Sequence, residues 1–182
     1  GMDRKAIAIK WDEYGIGHAT LHVPLFGKDL PFEFLQEGRP PKISDKMWRA
    51  AEQVLALPKS DISKVADLLW EEAVFSFSVG DYGVEARKGE SQLDAHLREF
   101  ALTNAQDALK KCTVRAVQIL QENDELEGVY AEINIESATD NSISIIVKDG
   151  QIVDFDDDGC DLEECDENPR AAHDMRTKVL AS

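Results

Sequence analysis

The chain has 182 residues, with 36 Asp and Glu against 20 Lys and Arg, a net charge of -16. Hydrophobic residues make up 43%, enough for one buried core and too many for a disordered chain. No run reaches the ~18 apolar residues of a membrane span, and the charge repels phosphate and anionic lipid, so nucleic acid and membrane are excluded as expected partners.

Gly1 before Met2 reads as the remnant of a cleaved tag. Residues 2–12 mix charges with isolated Ile and Ala, so no apolar signal region is visible. The three cysteines, Cys112, Cys160 and Cys165, are too few and odd in number for a disulfide scaffold. Reduced thiols in a cytoplasmic protein are the expectation.

In chain order, Ile7, Ile9 and Trp11 alternate and predict a short strand. Segments 18–26 and 30–36 predict a β-hairpin about Gly27-Lys28-Asp29, with Pro24 and Pro31 placing it at an edge or bulge. Ser44 caps a helix to about Leu57, with Met47, Ala51, Val54 and Leu55 on one stripe. Ser60 or Asp61 caps a second helix to about 77, with Val65, Leu69 and Ala73 inward and Glu71 and Glu72 turned outward. Residues 80–91 read as a surface loop, 92–101 as a weak helix, and Thr103-x-x-Gln106 as a capping box before a short helix to Lys111.

Residues 114–120 turn to strand character. Val129, Ala131, Ile133 and Ile135 then alternate with polar residues, as do Ile143, Ile145 and Val147. Asp149-Gly150 predicts a tight hairpin into a third strand ending at Phe155. The expected fold class is α+β. An antiparallel sheet, made of the N-terminal hairpin and a C-terminal three- to four-stranded meander, packs against an antiparallel helix pair. Residues 2–157 form the expected domain, and 158–182 an acidic segment plus a C-terminal helix opened by Asn168-Pro169.

Nine acidic residues and no basic one fall within 154–167. Asp154-x-Asp156-x-Asp158-Gly159 matches the first half of a calcium loop: oxygen ligands at positions one, three and five, with a glycine for the sharp turn. The match breaks further on, where Cys165 stands in place of the bidentate Glu and Glu164 comes one residue early. Cys160, Cys165 and His173 lack the spacing and the fourth ligand of a zinc site. His18 and His22 on a strand lie roughly 13 Å apart, too far to share an ion. Gly15-x-Gly17 precedes a strand where a phosphate loop needs a helix.

The Phe26-Gly27-Lys28 hairpin, the capped helix carrying Trp48-Arg-Ala-Ala-Glu52, and the meander through Ile143-Ser-Ile-Ile-Val-Lys-Asp-Gly150 follow in a characteristic order. Over residues 15–157 this order resembles a group of small, uncharacterised bacterial α+β domains. Some of these lie near polymorphic toxins and behave like immunity proteins. The resemblance implies a non-enzymatic, immunity-like protein and brings no catalytic residues.

With no catalytic constellation visible, the leading expectation is a protein-binding domain that holds a basic partner, such as a toxin, through an acidic surface. Asp157, Asp161, Glu163 and Glu164 are its candidate contacts. The alternative is a calcium-binding module on Asp154, Asp156 and Asp158. A hydrolase built from His18, His22 or His96 beside paired carboxylates is a third class.

Overall fold

A computed structural model describes residues 2–157 and 160–182; Gly1, Asp158 and Gly159 lie outside the described residues. The fold is α+β. The strands are β1 (Lys10–Trp11), β2 (Gly17–Val23), β3 (Lys28–Leu35), β4 (Thr113–Leu120), β5 (Tyr130–Glu136), β6 (Ser142–Lys148) and β7 (Gln151–Asp156). They form one sheet in sequential order, antiparallel except for the parallel pair β3–β4. A parallel pair needs a long crossover. It contains α1 (Asp45–Leu55), α2 (Ile62–Val79), α3 (Gln92–Glu99) and α4 (Ala105–Lys110). Beyond β7 come α5 (Leu162–Glu167) and α6 (Ala171–Ala181).

Local chemistry sets several boundaries differently from expectation. Only Lys10 and Trp11 of the first segment are strand. Asp3 instead caps a 3-10 turn over Arg4–Ala6, and Arg4 is drawn to Asp45 and Glu52 of α1. Strand β2 stops at Val23, because Pro24 opens the turn that Gly27 closes at φ +63°. Pro31 is tolerated inside β3 because β4 pairs with β3 only from Phe32 onward. Asn104, not Thr103, caps α4 by accepting from the Asp107 N–H, and the Asp107 carboxylate reaches back past the cap to the Thr103 N–H and hydroxyl, so the expected Thr103–Gln106 capping box does not form. No side chain caps α2, which continues directly from a 3-10 turn over Lys59–Asp61. Asn168 and Pro169 form a turn ahead of α6, which starts at Ala171.

One face of the sheet carries the main core. Phe32, Phe34, Val117, Ile133, Ile145 and Phe155 pack with Met47 and Val54 of α1 and Val65 and Leu69 of α2, all at most 1% exposed. Helix α1 touches β2, β4 and β5, and α2 touches β7. A second cluster joins Ala73 and Phe77 of α2 to Leu102. The buried ring of His96 sits beside it, Nδ1 bonded to the Phe77 carbonyl.

Strand periodicity puts Tyr130 and Ile146 on the opposite face. There Leu162 and Cys165 of α5 cover them in a third cluster. An ordered helix within the acidic stretch was not among the sequence expectations, and it gives the sheet a partial second layer.

Candidate functional site: an acidic groove beside α5

The segment between β4 and β5 is short and tightly anchored. Asn123 is fully buried. Its amide nitrogen donates to the carbonyls of Leu120 (3.1 Å) and Tyr130 (2.8 Å), and its oxygen accepts from the Tyr130 N–H at 2.6 Å. With Asn123 turned inward, Glu122, Asp124, Glu125 and Glu127 line the outside. Helix α5 is brought alongside by Asp166. That carboxylate accepts from the N–H groups of Glu127 (2.8 Å) and Gly128 (2.9 Å) and from the Tyr130 hydroxyl (2.9 Å). Burial opposes its charge, but these three donors outweigh the burial and hold the carboxyl below the ordinary aspartate range.

The result is two adjoining hollows of about 600 and 620 Å³ that share Glu122 and Glu125. Tyr14, Ile16, Leu35 and Leu120 give the first an apolar floor, and Glu37 and Asp124 add to its rim. Glu127, Glu163, Asp166 and Glu167 line the second. No Lys or Arg lines either hollow among the described residues. The crowding is felt by Glu122, whose carboxyl is pushed above the ordinary range by burial and then by the charges of Asp161, Glu163 and Glu125. On the neighbouring open sheet face, burial likewise pushes Glu132 up. The Ser144 hydroxyl works against the shift, while Asp156 and Glu122 add to it.

The residues singled out from sequence are divided among three places. Glu163 lines the groove, and Asp161 caps α5 beside it by accepting from the Glu164 N–H at 3.0 Å. Glu164 is exposed and accepts a hydrogen bond from the Cys160 thiol at 3.0 Å. Asp157 lies elsewhere, on a small hollow between α2 and α6. Asp156 accepts from the Cys160 N–H at 3.1 Å. Asp154 is completely buried. It accepts from the N–H groups of Phe155 and His173 and from Arg176 Nη2 at 2.8 Å, with Arg170 at 3.5 Å. Asp158, the third residue of the calcium reading, lies outside the described residues. Among the described residues no group of three His, Cys, Asp or Glu side chains is placed to hold a metal ion.

Other polar groups have structural partners. His18 pairs with Asp12 at 2.8 Å and His22 with Asp29 at 2.9 Å. All three cysteines are free thiols. Glu72 corrects the expectation that it turns outward: it is 1% exposed. One of its oxygens accepts from Ser76, Thr139 and Asn141, while Oε1 has no partner among the described residues.

Reasoning from sequence missed the 121–127 half of the groove. Its signal was present as four acidic residues in six positions between two strands. No helix among the described residues is long and apolar enough to cross a membrane. Comparison with family models, curated proteins and solved structures gave no match.

Proposed function

We propose that this chain is a non-enzymatic binding protein that captures a basic protein partner in the acidic groove, in the manner of an immunity-type inhibitor. The observation that carries the reading is the crowding of carboxylates around Glu122, with no Lys or Arg lining the groove among the described residues. Carboxylates that raise one another's proton affinity are relieved by an incoming cation. The apolar surface of Tyr14, Ile16, Leu35 and Leu120 supplies contact area for the stems of lysines or arginines. Such a surface also speeds encounter with a basic partner and rejects acidic ones. The calcium alternative has no comparable support, since the oxygens of Asp154 are taken up by Arg176 and backbone donors.

The test uses a lysine-rich, glycine- and serine-spaced peptide that cannot form an apolar face. Its binding to the full chain should weaken steeply between about 50 and 200 mM salt. Reversing Glu125→Lys together with Glu163→Lys should cost about tenfold or more in affinity. Equal binding by the wild type and this double variant would refute the groove as the contact.

A further inference from the structure

The large apolar side chains left open among the described residues fall mostly on two helices, α2 and α6. Of the five among the described residues, Val79, Met175, Val179 and Leu180 are 42–51% exposed and sit toward the C-terminal ends of α2 and α6. Single exposed apolar residues are ordinary, whereas a cluster of them marks an interaction surface. The two helices touch, and Glu71 of α2 ties them together through Arg170, His173 and Arg176. Between them opens a hollow of about 160 Å³, walled by Phe75, Ala172, Met175 and Val179 together with Arg176, whose charge is already paired with the buried Asp154.

The spacing gives the hollow its shape. Phe75 and Val79 are four apart on α2, and Met175 and Val179 are four apart on α6, so each helix turns an apolar pair outward. Two helices with open pairs along one seam form the kind of groove that a third, amphipathic helix fills. Charge chooses the occupant. Asp156 and the exposed Asp157 border the hollow, and the whole chain carries -16. A second copy would bring the same charge to the contact, which disfavours self-association.

We propose that the seam between α2 and α6 docks an amphipathic helix of a partner protein, whose apolar face enters the hollow and whose marginal lysines or arginines meet Asp157. This surface is separate from the acidic groove and does not depend on it.

The probe is a synthetic leucine–lysine peptide with leucines at helical i, i+3, i+4 spacing, titrated into the full chain at physiological salt. A scrambled peptide of identical composition is the control. The amphipathic peptide should bind at least about tenfold tighter than the scrambled one. Met175→Glu with Val179→Glu should remove that advantage, and Asp157→Lys should weaken binding severalfold. Glu125→Lys with Glu163→Lys should leave the ratio of the two peptides unchanged, which separates this proposal from the groove. These side chains are exposed, so thermal unfolding of the variants should match the wild type. Equal binding of the two peptides would overturn the proposal. So would an advantage that survives Val179→Glu. A concentration-dependent dimer that Val179→Glu abolishes would show a second copy to be the occupant and would overturn it as well.

Discussion

Helix α5 ends the acidic stretch and α6 follows it, yet the two are held in opposite ways. Helix α5 lies over Tyr130 and Ile146 with Leu162 and Cys165 beneath it, and its carboxylates face outward except for the anchor Asp166. Helix α6 is fixed to β7 by a buried charge pair, Asp154 with Arg176, whose guanidinium also lies 3.5 Å over the Phe155 ring. One region spends its negative charge on the solvent side, where it shapes a groove. The other spends it inside, where it closes the last strand. Counting acids along the chain cannot separate these roles; burial and the available donors do.

The largest effect should come from breaking the α6 pair. Asp154→Ala leaves Arg176 buried without its main partner and should cost about 3–5 kcal/mol in urea unfolding. Adding Arg176→Met should recover part of that loss, since a well-packed apolar pair often matches a buried ion pair. A loss below about 1 kcal/mol for Asp154→Ala would mean that the pair does not hold α6.

The α5 anchor is exposed at one end and should matter less. Asp166→Ala removes an acceptor shared by three donors and should cost about 1–3 kcal/mol. Amide exchange should quicken locally, at Glu127, Gly128 and across α5, while β5 and β6 stay protected. The same carboxyl gives a pH test. Its pKa is lower in the folded than in the unfolded chain, so its contribution is complete above about pH 4 and fades as the pH falls through the folded value. Asp166→Asn should flatten that part of the acid-unfolding profile.

Glu72→Gln tests the interior of α2 against both termini. It exchanges one orphaned atom at Oε1 for another and removes a buried carboxylate that has no ion pair among the described residues. It should leave the protein as stable as the wild type, or up to about 1 kcal/mol more stable. The smallest change is expected at the groove. Glu122→Gln relieves repulsion at a half-buried position on the groove wall, so stability should shift by no more than about 0.5 kcal/mol. Any gain should be present at neutral pH and shrink as the pH falls and the native carboxyl takes up its proton.

The meander was legible because alternation and turn chemistry agree there. Asp149 and Gly150 adopt φ +50° and +78°, as the tight hairpin requires. The two amphipathic helices of the crossover were legible for the same reason. One sheet joining the hairpin to the meander was expected, but its parallel β3–β4 junction was not, because that pairing joins strands about 85 positions apart. Glu72 and Asp154 were misjudged because their burial depends on partners from distant elements: Thr139 and Asn141 for one, Arg176 for the other. The acidic stretch itself was plain in the sequence. The groove was not, since it exists only where Asp166 meets Glu127, 39 positions away.

The most direct test of the groove is to map where the lysine-rich peptide sits on the full chain, by amide chemical-shift changes in NMR. The expected result is a continuous footprint over 121–127 and 161–167, lost in the Glu125→Lys, Glu163→Lys variant. A footprint confined to the seam around Phe75 and Val179, or changes spread evenly over the whole acidic surface, would contradict it.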